Sequence, residues 1–76
     1  MTKLIEVSGL GKVSRHKAAQ IEICDEMGAA FEFWALDAVR RISAFTEKEV
    51  RQALHTLQRV GTLQQAGTGM YAWRLS

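Results

Sequence analysis

The sequence predicts a small α+β domain: three helices and a small antiparallel sheet that ends in a C-terminal β-hairpin. Three observations carry that prediction. Residues 46–60 combine a helix start signal, an apolar stripe and a stop signal. Residues 62–75 read as two extended arms around a glycine turn. Residues 29–33 alternate apolar and polar just ahead of a shorter helical stretch. Periods of 3.6 and 2 are the signatures of helix and strand.

The helix at 46–60 has the sharpest signal. Thr46-Glu47-Lys48-Glu49 is a capping box. The Thr46 hydroxyl accepts from the Glu49 amide, and the Glu49 carboxylate reaches back to the Thr46 amide. Val50, Ala53, Leu54, Leu57 and Val60 then recur at helical spacing, and Gly61 follows as a stop. Ahead of it, residues 35–42 form a short helix on the stripe Leu36, Val39, Ile42, with Arg40 and Arg41 off that stripe. Ser43-Ala44-Phe45 is the break between the two, and Phe45 is expected as a hydrophobic staple.

The hairpin has Gly67-Thr68-Gly69 as its turn, and Tyr71, Trp73 and Leu75 share one face of its second arm. Trp73 and Leu75 are expected to pack under the helices. In residues 29–33, Phe31 and Phe33 are expected on one side and Glu32 on the other, with the strand at 30–33 pairing with the hairpin. Further upstream, Ser14 caps a helix that runs to Met27 and stops at Gly28. Its inner face is read as Ala19, Gln20, Ile23, Cys24 and Met27. Arg15 and Lys17 at its start, and Asp25 and Glu26 at its end, oppose the helix dipole, so it depends on tertiary packing. Residues 1–13 are an N-terminal arm, and within them Leu4, Ile5 and Val7 fit either a short strand or a loose segment. Gly9-Leu10-Gly11 interrupts any regular element there.

The totals bound the function. With 76 residues and 47% hydrophobic composition, one domain with one compact core is expected over residues 14–76. The single cysteine, Cys24, excludes an intrachain disulfide and a CxxC metal pair, and a reducing, cytoplasmic compartment is expected. Cys24 itself reads as a small core residue. The first residues lack the apolar run of a signal peptide, and no stretch is long enough to span a membrane, so neither is expected. The net charge of +2 is unevenly placed. Residues 1–33 carry four basic and five acidic side chains, net −1, whereas residues 34–76 carry six basic and three acidic, net +3. A polyanion would meet the C-terminal part.

Chemistry by catalysis or cofactor has no visible constellation. His16 and His55 have no metal-ligand spacing with Cys24 or the carboxylates. The serines lack a histidine–carboxylate pattern, and Gly9-Leu10-Gly11-Lys12 lacks the spacing of a phosphate loop. No enzyme, cofactor or metal is expected. Trp34 and Trp73, at strand and helix junctions, are read as core residues rather than as a stacking platform for single strands.

The order of elements resembles the winged helix-turn-helix family. The resemblance is carried by Trp34-Ala35-Leu36-Asp37-Ala38-Val39-Arg40-Arg41-Ile42, then by 45–57 with its capping box and the Leu54, Leu57 pair, then by Val60-Gly61-Thr62-Leu63 and Tyr71-Ala72-Trp73-Arg74-Leu75. It covers residues 34–76 well and 14–33 loosely. It implies a recognition helix at 46–60, a β-wing at the hairpin, and double-stranded DNA as partner, as in a small bacterial or phage-type transcriptional regulator. A homodimer would suit so small a reading head.

The outward stripe of 46–60 holds Lys48, Arg51, Gln52, His55, Thr56 and Arg59. Arg51 suits a bidentate contact to guanine and Gln52 one to adenine. Lys48, His55 and Arg59 suit phosphates, and Arg40, Arg41 and Thr68 are candidates for the flanking backbone. The plain alternative is a solvated helix face with Glu47 and Arg51 as an i,i+4 ion pair. Glu47 and Glu49 at the start of this helix, and a wing tip without a basic residue, depart from the pattern of a strong DNA binder. They favour the alternative function, a winged-helix module that binds another protein.

Overall fold

A computed structural model describes residues 4–7, by their backbone, and residues 11–74. Strands β1 (Leu4–Val7) and β2 (Gly11–Ser14) come first, followed by helix α1 (Arg15–Met27). Strand β3 (Glu32–Trp34) leads directly into helix α2 (Ala35–Arg41). Helix α3 (Glu47–Arg59) and the hairpin β4 (Leu63–Gly67) and β5 (Met70–Trp73) complete the described chain. The three helices, the three-stranded antiparallel sheet and the C-terminal hairpin make an α+β fold compatible with a winged helix.

The sheet order is β3-β5-β4. Phe33 stands opposite Tyr71, and Gln64 opposite Ala72. The expected strand at 30–33 is therefore present one to two residues later, and it pairs with the hairpin as expected. The segment read as an arm contains a second, two-stranded sheet, with Ile5 opposite Val13 and Glu6 opposite Lys12. Of the two readings of residues 4–7, the strand holds. The expected breaks at Gly9 and Leu10, and the packing of Leu75, lie outside the described residues.

The helix signals hold at atomic detail. Ser14 Oγ accepts from the Lys17 amide at 3.1 Å. The Glu49 amide donates to Thr46 Oγ1 at 3.2 Å, and the Thr46 amide donates to Glu49 Oε1 at 2.9 Å, closing the capping box. At the other end of α3, the Thr62 amide reaches the Leu57 carbonyl at 2.9 Å and the Gly61 amide reaches the Gln58 carbonyl at 3.1 Å. This is a Schellman stop, and it holds Gly61 at φ 91°, a conformation open chiefly to glycine. Gly28 stops α1 differently. Its φ of −66° is ordinary, but a Cβ there would run into the Cys24 carbonyl.

The core gathers Ala19, Ile23 and Met27 from α1, Ala35, Ala38 and Ile42 from α2, and Val50, Ala53, Leu54 and Leu57 from α3. Phe33 and Leu63 close it from the sheet. Tyr71 and Trp73 lie 6.3 and 5.8 Å from the Phe33 ring, centre to centre. Trp73 Nε1 donates to the Met27 carbonyl at 3.1 Å, so its polar atom satisfies the end of α1 while its ring packs on the core. Phe45 packs against the core as the staple reading expects.

Five expectations about burial need correction. Trp34 is 51% exposed and Leu36 53% exposed. Of the expected α2 stripe, Ile42 is buried and Val39 packs against the core, while Ala35 and Ala38 take the inner place expected of Leu36, because α2 begins at the end of β3 and lays its smallest side chains against the other helices. Phe31 is exposed and only Phe33 turns inward, since the strand starts at Glu32 and imposes no alternation on Phe31. Val60 is exposed because the helix has reached its cap and turns away there. Cys24 is exposed rather than in the core. It lies about 100° around the helix from Ile23, on a flank left to solvent.

Candidate nucleic-acid interface

The outer face of α3 meets the first turn of α1 in one open groove of about 690 Å³. One wall is His16 of α1. The other is the α3 surface made by Glu47, Lys48, Arg51, Gln52, His55 and Thr56. His16 Nε2 and Thr56 Oγ1 lie 2.9 Å apart and join the two walls. The periodicity explains the arrangement: with Val50, Ala53, Leu54 and Leu57 buried, the polar side chains between them must face outward.

Four of the eight residues expected at the site, Lys48, Arg51, Gln52 and His55, thus share one groove. Arg59 is exposed one turn beyond His55 on the same stripe and does not line the groove. Arg40 and Arg41 are exposed at the end of α2. Arg41 Nη1 is 4.0 Å from the Met27 sulfur, at the far end of α1 from His16. Eleven residues of helix separate the two ends, about 16 Å. Thr68 is exposed in the hairpin turn, next to Gly69, whose carbonyl accepts from the Ala35 amide at 2.8 Å. The hairpin turn therefore rests on the start of α2. The structure does not bring Arg40, Arg41 or Thr68 to the groove. His16 is the residue that sequence reasoning missed as a groove partner.

The two acidic residues at the start of α3 are both engaged. Glu49 takes Arg15 Nε at 2.6 Å and Arg15 Nη2 at 2.9 Å. The Arg15 guanidinium also donates to the Ala44 carbonyl at 3.2 Å and stands 4.8 Å above the centre of the Phe45 ring. The Arg15 hydrogen bonds, followed by the one from the Thr46 amide, pull the Glu49 carboxyl down to about 2. Arg15 is held protonated in turn, its pKa raised by the bond to Glu49. Glu47 pairs with Arg51 at 2.8 Å along the helix. Of the groove cations, Lys48 makes no ion pair among the described residues, whereas Arg51 is shared with Glu47.

Outside the groove, the Cys24 thiol is held above its ordinary pKa by partial desolvation, and then by the Asp25 carboxylate. A thiol in that state is a poor nucleophile. No helix among the described residues is long and apolar enough to cross a membrane. No family model, curated protein or solved structure matches the chain.

Proposed function

We propose that this chain is a winged-helix DNA-binding protein, serving transcriptional regulation, that reads the major groove with α3. The observation that carries the reading is the α3 face. Lys48, Arg51, Gln52 and His55 line one open groove and Arg59 extends the same stripe, while Glu47 and Glu49 are each matched by an arginine. A helix of this kind enters the major groove with its early residues at the base edges. Arg51 and Gln52, in the second turn, carry the donor sets for guanine and adenine. Lys48, His55 and Arg59 flank them for phosphate contact.

Titration with mixed-sequence duplex DNA at 50 and 200 mM salt tests this. Binding should weaken steeply with salt, by about 0.9 in log–log slope for each phosphate neutralised. Arg51→Ala should bind more weakly still and lower that slope by about 1 if the side chain also meets phosphate. Absence of binding at 50 mM salt would sink the proposal.

A second reading, a module for a protein partner, draws on a different observation. Phe31, Trp34 and Leu36 expose large apolar surfaces around the junction of β3 and α2 and do not line the groove. Exposed apolar groups of this kind mark contact surfaces for other chains when they are contiguous. A chain that ignores DNA at low salt and self-associates through Trp34 would carry this reading instead.

A further inference from the structure

We propose that His16 is a proton-dependent phosphate contact, supplied by α1 to the same groove. The inference rests on the DNA-binding reading of α3 and deepens it. His16 forms the wall opposite Lys48, Arg51 and His55, and Thr56 holds its ring in place through Nε2 at 2.9 Å. A neutral imidazole has one donor nitrogen and one acceptor. The protonated ring has two donors and a full charge. Its Nε2–H then donates to Thr56 Oγ1, and its Nδ1–H, which has no partner among the described residues, is free for a phosphate oxygen. Imidazole is the side chain whose charge changes between pH 5 and 8.

Charged groups stand near His16 on several of the elements around it. Across the groove stand Glu47, Lys48, Arg51 and His55 of α3. Beside His16 on α1 are Arg15 and Lys17, and Lys12 of β2 lies just ahead, with Glu6 of β1 opposite Lys12 in register. The charged groups of α2, Asp37, Arg40 and Arg41, belong to the helix whose end meets Met27, far along α1. Both carboxylates of the first α3 turn are committed, Glu49 to Arg15 and Glu47 to Arg51. With those two pairs set aside, Lys12, Lys17 and Lys48 are the cations left on the elements that meet at the groove. A phosphate placed in the groove attracts the cationic ring, so binding and protonation support each other.

The test is the affinity for a mixed-sequence 20-base-pair duplex, read by fluorescence anisotropy at pH 7.8 and 5.8 over 50–200 mM salt. One added phosphate contact steepens the salt slope by about 0.9, which is about an eightfold gain in affinity at 0.1 M salt. The wild type should gain at least that on going to pH 5.8. H16Q should bind as the wild type does at pH 7.8, which also shows that it folds, and should lose about eightfold of the gain at pH 5.8. H16K, with a fixed charge, should bind at pH 7.8 with the steeper slope. A wild-type affinity that does not change with pH, or an H16Q response equal to the wild type's, overturns the inference and leaves the DNA reading standing. No binding at either pH removes the DNA reading and the inference with it.

Discussion

Glu47→Gln separates what the Glu47–Arg51 pair gives the fold from what it withholds from DNA. The two side chains meet at 2.8 Å, one helical turn apart, and are 58% and 47% exposed. An i,i+4 pair that open to water contributes about 0.3–0.5 kcal/mol. Glu47 also sits in the first turn of α3, where the helix dipole favours a negative charge by about 0.3–1 kcal/mol. Together the loss is about 1 kcal/mol, from a total of about 4–11 kcal/mol for a chain of this length. The melting temperature should fall by about 4–8 °C. DNA affinity should move the other way. The substitution removes a negative charge from the groove and frees Arg51 for its guanine contact, worth about 1–3 kcal/mol. Thermal unfolding and anisotropy titration on the same preparation read both numbers. A Glu47→Gln protein that binds DNA no better than the wild type would refute the placement of Arg51 on the DNA-facing surface.

Three further outcomes follow from the same contacts. Thr46→Ala removes the acceptor of the Glu49 amide and should cost about 1 kcal/mol, seen as a fall of about 4–8 °C in thermal unfolding, while Thr46→Ser keeps most of it. Gly61→Ala places a Cβ on a residue at φ 91° and should cost about 1–2 kcal/mol in urea unfolding. The folded pKa of Glu49 is depressed to about 2 from an ordinary 4.5, so its contribution to stability is complete above about pH 4.5 and is lost as the pH falls toward 2. Denaturant midpoints at pH 5 and pH 3 should therefore diverge more in the wild type than in Arg15→Gln.

Much of the fold was legible because its decisive signals are local. The Thr46 box, the Gly61 stop and the Ser14 cap each involve residues within a few positions of one another, and each forms as its spacing dictates. The hairpin was legible for the same reason. Burial was less so, because an apolar side chain is inside only if another element covers it. Leu36 and Ala35 are neighbours, and the larger one would be expected inward; the close packing of α2 on the other helices buries the alanine. Trp73 and Trp34 show the same limit from both sides. Trp73 reaches the Met27 carbonyl from β5, a contact spanning most of the chain, whereas Trp34 ends its strand at an uncovered edge.

The candidate site divides along the same line. The α3 stripe follows from helical period and was readable. What α1 brings to it was not, because Arg15 and His16 lie more than thirty residues away in sequence from their partners Glu49 and Thr56. On α1 alone, Arg15 is a misplaced cation at the positive end of a helix dipole. The fold resolves the misfit by bringing that end against the start of α3, where Glu49 has closed its capping box and still has a carboxylate face to offer. Two local features, one unfavourable and one incidental, become a single tether that pins α1 to α3 at the Phe45 end. The tether also decides what the groove presents. With Glu49 spent on Arg15, the second acidic residue of the α3 start no longer opposes a polyanion, and the feature that argued most directly against DNA binding becomes part of the scaffold that aims α3 outward. A chain in which Arg15 is replaced should then lose DNA affinity through an unmasked Glu49, although Arg15 itself lines no part of the groove.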